Sequence, residues 1–155
     1  MMTVPMLATK YVFSLKITIG APIIAGDLGH GVRRIIPILG GSVSGEGFNG
    51  TIYPVGADFQ TIRPDGFTEV EAKYAFALDD GAVIYIENVG VRFGPKDLLD
   101  RIARGEIVDP SLIYFRSVPR FETGHPNYRW LMESLFVGVG ARHPDRVEIQ
   151  VHQVM

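Results

Sequence analysis

The sequence predicts an all-β protein, a closed antiparallel β-barrel of about eight to nine strands with one short helix, formed as a single domain over residues 1–155. Three observations carry this. Apolar residues alternate with polar ones at period two in run after run, the pattern of half-buried strands. Glycine (18 residues) and proline (10 residues) separate those runs at short intervals, so the joints are turns rather than helical crossovers. Helix-period stretches are scarce, and closing the sheet on itself removes the unpaired edges that so many strands would otherwise leave.

The first strand is Tyr11–Ile19, with Tyr11, Phe13, Leu15, Ile17 and Ile19 on one face and Ser14, Lys16 and Thr18 on the other. Gly20–Gly31 is rich in turn formers and predicts a loop; Val32–Leu39 resumes as a strand carrying Arg33 and Arg34. The stretch from Gly40 to Asp58 then specifies backbone geometry, because Gly40, Gly41, Gly45, Gly47 and Gly50 crowd between two apolar runs. It predicts a strand that bends hard, turns and returns, as at a barrel corner. Gly45, Gly47 and Gly50 also spell G-x-G-x-x-G. That dinucleotide fingerprint needs a helix to open behind it, and the β-favouring Thr51-Ile52-Tyr53-Pro54-Val55 follows instead, so no dinucleotide site is predicted here.

Thr51–Val55 and Phe59–Arg63 are short strands, and Pro64-Asp65-Gly66 is a turn. Phe67–Leu78 alternates again, setting Ala72, Tyr74, Phe76 and Leu78 opposite Glu71, Lys73, Ala75 and Ala77. Asp79-Asp80-Gly81 predicts a two-residue primed turn into an antiparallel partner, Val83–Val91. That partner is apolar on both faces, so it is central or its outer face meets another molecule; a homodimer or larger homo-oligomer is expected. Lys96–Arg104 is the one convincing helix, entered by Pro95, striped by Leu98, Leu99, Ile102 and Ala103, and ended by Gly105. It predicts a short lid or plug. Leu112–Phe121, Trp130–Ala141 and Arg146–Val154 complete the strands.

Composition narrows function. A chain of 155 residues withdraws about 70% of its unfolded surface from water, enough for a core without staples. Cysteine is absent, which excludes disulfides, thiolate metal sites and a cysteine nucleophile and suits a reducing, cytoplasmic compartment. The formal charge of −2, with no basic run, argues against nucleic acid and anionic membrane as partners and favours a small-molecule ligand. His30, His125, His143 and His152 lack ligand spacing, so neither metal nor other cofactor is expected.

Taken together, GGSVSGEGFNG (residues 40–50), Gly56-Ala57-Asp58, Asp79-Asp80-Gly81-Ala82, Tyr114-Phe115-Arg116, Phe121-Glu122-Thr123 and Tyr128 with Trp130-Leu131 resemble the pattern of domain-of-unknown-function family three-two-three-seven. The resemblance runs from about Tyr11 to the C-terminus. It implies a compact lipocalin-like or calycin-like barrel that often self-associates, and it implies no reaction.

Candidate chemistry rests on polar groups in strands expected to line the barrel. Asp58, at a turn-to-strand junction, and Glu122, ending an aromatic strand, would act as general acid and base if both faced an apolar cup. The structural alternatives are that Asp58 caps its own turn and that Glu122 pairs with Arg116 or Arg120. Arg116 is the candidate to fix a carboxylate or enolate. Tyr53, Tyr85, Tyr114, Tyr128 and Trp130 are candidate lining, with ordinary aromatic packing an equal alternative for Tyr53, Tyr85, Tyr128 and Trp130, and Asn88, in an otherwise apolar strand, is a better polar-lining candidate than its neighbours. The expected function is a small-molecule-binding barrel, in catalytic form a cofactor-independent isomerase or lyase on a carbonyl- or phenol-bearing organic acid. A non-catalytic carrier or sensor and a structural self-associating barrel are the alternatives.

Overall fold

The computed structural model describes residues 1–155. Ten strands form one antiparallel sheet: β1 (Thr9–Ile19), β2 (Ile23–Asp27), β3 (Val32–Gly45), β4 (Gly50–Ile52), β5 (Ala57–Ile62), β6 (Thr68–Leu78), β7 (Val83–Phe93), β8 (Tyr114–Glu122), β9 (Phe136–Arg142) and β10 (Arg146–Val154). Pairing of β1 with both β10 and β3 closes the sheet into a barrel. Its wall has eight positions, because β2 takes over from β1 along one edge of β3 while β4 and β5 share the position between β3 and β6.

The expected corner is where this hand-over occurs. β3 runs straight through Gly40 and Gly41, whose φ angles of 135° and 141° suit only glycine. A Cβ on Gly41 would stand 2.0 Å from the Lys16 carbonyl oxygen of β1, so the two backbones cross where no side chain fits. β3 therefore outlasts the predicted Leu39 end by crossing its own bend. The G-x-G-x-x-G glycines form the turn from β3 to β4, and no helix follows.

Three further expectations are corrected. The loop expected over Gly20–Gly31 contains β2, a short strand recruited by the free edge of β3. The Asp79-Asp80-Gly81 hairpin forms, but its loop has three residues: Gly81 N–H donates to the Leu78 carbonyl, Leu78 N–H to that of Ala82, and Gly81 has a φ of 91°. That is a turn with a glycine bulge, not a primed two-residue turn. The strand expected from Trp130 starts only at Phe136, since Pro126–Met132 winds as a 3-10 segment over the open end.

Inward faces agree with the alternation in the sequence. One half of the interior is an aromatic core in which Phe13 stacks on Phe48 (4.6 Å between ring centres) and meets Phe76 and Phe121, while Phe121 meets Phe136 edge-on. Trp130 and Tyr128 of the 3-10 segment close this half against Phe48. The other half is covered by α1 (Lys96–Ala103), the predicted plug, which buries Leu99 and Ile102. The second apolar face of β7 lies outside: Val83 and Val89 are exposed, as is Val118 beside them on β8. No helix is long and apolar enough to cross a membrane.

Candidate functional site

Beneath α1 the inward positions turn polar. On β5, Asp58 lies across from Ile36 of β3 and Ala72 of β6, and Gln60 across from Arg34 and Val70, which puts both side chains on the interior face. On β7, Asn88 and Arg92 continue the face of Ile84 and Ile86. Ser117 of β8 and Arg142 of β9 complete the ring, and Tyr74 of β6 bounds it toward the aromatic core. Period two brings them together: each is in phase with apolar neighbours that must face inward.

A cavity of about 30 Å³ lies at the centre of this group. One side is Asp58, Gln60, Tyr74, Asn88 and Arg142; the other is an apolar wall that includes Ile17, Ile19, Ile36, Ile38 and Ile149. The space holds a few waters or the head of a small molecule. Asp58 is enclosed by protein yet keeps some accessible surface, as expected of a group that lines a cavity.

Burial leaves many of these polar groups without partners. Arg92, 3% exposed, has its Nε buried without an acceptor, and its guanidinium lies 5.5 Å from the ring centre of Phe115. Arg34 donates to the Ala103 carbonyl (3.1 Å), tying the end of α1 to the wall, while its Nε is buried without an acceptor. Gln60 Oε1, Tyr74 Oη, Asn88 Oδ1, Arg92 Nε, Ser117 Oγ and Arg142 Nη1 are likewise buried and unpaired. Orphans of this kind are rare in native interiors, and four of these seven, on Gln60, Tyr74, Asn88 and Arg142, line the cavity.

Asp58 accepts from Gln60 Nε2 at 2.8 Å and from the Glu71 N–H at 3.2 Å. No arginine forms an ion pair with it, although Arg34, Arg92 and Arg142 all feel its charge. Burial raises the Asp58 pKa above the usual carboxylate range; the Gln60 hydrogen bond, Arg92, the Glu71 N–H and Arg142 oppose it without prevailing. Burial lowers the pKa of Arg92 to about 10, with Asp58 resisting and Arg142 and Arg34 reinforcing the fall. All three arginines stay cationic at neutral pH. With Asp58 ionised the chamber carries a formal charge of +2, three guanidiniums against one carboxylate.

Of the residues singled out by the sequence, Asp58 and Asn88 lie in the chamber; the others do not join them. Tyr114, Arg116 and Glu122 occupy the outward positions of β8 because its alternation puts Phe115, Ser117 and Phe121 inside. Arg116 donates to the Phe115 carbonyl and lies over the Tyr114 ring, while Glu122 and Tyr85 flank an open groove of about 510 Å³ on the outer surface. That groove is larger than the chamber, but Tyr85 spends its hydroxyl on Glu87 (2.8 Å) and its charges are solvated. Tyr53 is exposed beyond β4. Tyr128 bonds Asp80, and Trp130 packs on Phe48 and Phe136, both at the opposite end from Asp58. Arg34, Arg92 and Arg142 are buried cations to which the sequence pattern assigned no site role. The available signal was a cation in phase with the apolar face of its strand.

The fold and chamber define a class: closed antiparallel barrels with a small charged cavity sealed inside one end. Residues 7–154 match the model of DUF3237, described as "Protein of unknown function (DUF3237)". The chain belongs to that family. It is 65% identical to the UPF0311 protein RPA1785 of Rhodopseudomonas palustris, over 97% of this chain and 99% of that one. The crystal structure of RPA1785 superposes with a TM-score of 0.93, covering 99% of this chain and 100% of the other at 63% identity. A "beta-barrel like protein" of Acinetobacter baumannii, 32% identical, superposes with a TM-score of 0.86 over 99% of both chains. A Penicillium herquei protein described as an enzyme shares the fold at 19% identity, with a TM-score of 0.73 over 100% of each chain.

Proposed function

We propose that this barrel binds a small organic molecule in the chamber beneath α1 and moves a proton on it, as a cofactor-independent isomerase or lyase acting beside a carbonyl or phenol, with Asp58 as the group that takes and returns the proton. The observation that carries this reading is Asp58 itself: a carboxyl group lining an enclosed cavity, its proton affinity raised by burial, with the unpaired Tyr74 hydroxyl and Asn88 and Gln60 amides around it. A carboxylate whose pKa moves up toward neutrality is a stronger base, and in a dry cavity it works beside fixed dipoles rather than mobile water. Gln60 and the Glu71 N–H fix its orientation, so the proton is exchanged at a defined position.

Screening carbonyl and phenolic acids for proton exchange with solvent deuterium tests the reading. Wild-type protein is expected to label a substrate at one position, and Asp58→Asn to lower that rate by about 10²- to 10⁴-fold with the fold intact. Binding with no exchange in either protein would assign the barrel to the carriers instead.

A further inference from the structure

We propose that the molecule held in this chamber is an amphipathic anion, a carboxylate or phenolate on a flat apolar body, whose charged head is gripped by Arg92 and Arg142 and whose body lies on the isoleucine wall. The inference rests on the chamber being the binding site, and it concerns which molecule enters. Arg142 lines the cavity with Asp58, and Arg34 and Arg92 are buried near enough to feel the same carboxylate, yet that carboxylate is occupied by Gln60 and the Glu71 N–H and forms an ion pair with none of them. The Arg92 side chain is 3% exposed with its Nε buried and unpaired, on the inner face of β7 at the inward position after Asn88 and Gly90, and Arg142 Nη1 is buried and unpaired against the cavity itself. A guanidinium withdrawn from water is costly to keep without an acceptor, and a planar oxyanion offers acceptors in the geometry that its fork fits.

The opposite wall decides the rest of the molecule. Ile17, Ile19, Ile36, Ile38 and Ile149 offer no donor or acceptor, so an inorganic anion would leave them facing its hydration shell, whereas a ring or short acyl body covers them. Size points to the way in. The cavity of about 30 Å³ accepts the head of such a molecule, and the body needs more room than the cavity now offers. Arg142 also lines a smaller void of about 10 Å³ shared with Ile102 of α1 and with Val108 and Ile113 of the segment that follows. Arg34 reaches from the chamber wall to the Ala103 carbonyl. Filling the chamber therefore disturbs the plug.

Calorimetric titration with benzoate tests the proposal, with benzamide as its neutral counterpart and inorganic phosphate as an anion lacking a body. Benzoate is expected to bind at one site, with benzamide and phosphate each at least tenfold weaker. Arg92→Met and Arg142→Met are each expected to weaken benzoate at least tenfold, and Arg92→Lys to restore part of the loss; circular dichroism checks that the variants fold. Saturating benzoate is also expected to change amide hydrogen exchange across residues 99–104 of the plug. Benzamide or phosphate binding as well as benzoate, or arginine variants that bind it unchanged, would overturn the proposal. So would benzoate binding with no change in plug exchange, since the anion would then sit on the outer surface. Asp58→Asn separates the two readings, because it removes proton transfer while benzoate binding persists or tightens. Intact exchange chemistry without benzoate affinity would sink the anion inference and leave the proton-transfer reading standing.

Discussion

Along the inner face of β7, Ile84 and Ile86 are wholly buried among phenylalanines, while Asn88 and Arg92 on the same face are almost as deeply buried with polar atoms unpaired. One strand thus serves two interiors. In the aromatic half every inward side chain removes apolar surface from water, and each fully buried phenylalanine contributes about 1.5–3 kcal/mol by that route. In the charged half, desolvation of Arg34, Arg92 and Asp58 opposes folding, and few hydrogen bonds return the loss. The difference teaches that stability resides in one half and that the other half is shaped by something stability does not require.

The comparison breaks most visibly in the aromatic half. Phe76 has no exposed surface, and Phe76→Ala is expected to cost about 3–5 kcal/mol in chemical denaturation. A loss below about 1 kcal/mol would mean that the core is looser than its ring contacts imply. The charged half should answer with the opposite sign. Arg92→Met exchanges an unpaired buried cation for an apolar side chain of similar length and is expected to raise the denaturation free energy by about 1–4 kcal/mol. A variant less stable than wild type would show that Arg92 has a structural partner after all.

These two positions also mark how far the sequence was legible. Alternation in Phe13–Ile19 and Phe67–Leu78 sorted inside from outside correctly, because period two is imposed by the pleat, whereas Tyr11, expected on the inner face, is 44% exposed because the β1–β10 register shifts between Tyr11 and Phe13. The corner was legible from Gly40 and Gly41 for the same local reason. What failed depended on distant partners. β2 exists because β3 presents an edge to it, and Pro126–Met132 winds as a 3-10 segment because the aromatic end needs cover. In the site, Asp58 and Asn88 were recoverable. Arg116 and Glu122 drew attention as polar residues in an aromatic strand, although their phase put them outside with Tyr114 and Val118. Arg92, in phase with Ile84 and Ile86, broke the binary pattern and was the stronger signal.

The smallest expected effect sharpens that contrast. Glu122→Gln alters an exposed carboxylate on the outer groove and is expected to leave both the melting temperature and any proton-exchange activity unchanged. A large fall in activity would move the functional site from the interior to the outer groove.

The account stands on Asp58 being a buried, proton-hungry carboxyl, and the ¹³C shift of its carboxyl carbon, followed by NMR against pH, tests this most directly. Burial is expected to hold its titration above the ordinary aspartate value of about 3.9. The folded chain keeps this proton to higher pH than the unfolded chain, so the group's contribution is fully present below about 3.9 and is lost as pH rises through the raised value. Asp58→Asn is expected to remove that slope. A carboxyl carbon that titrates above the ordinary value, with the slope abolished in Asp58→Asn, agrees with the account; titration at or below about 3.9 would contradict it, because the arginines would then have fixed Asp58 as a structural anion.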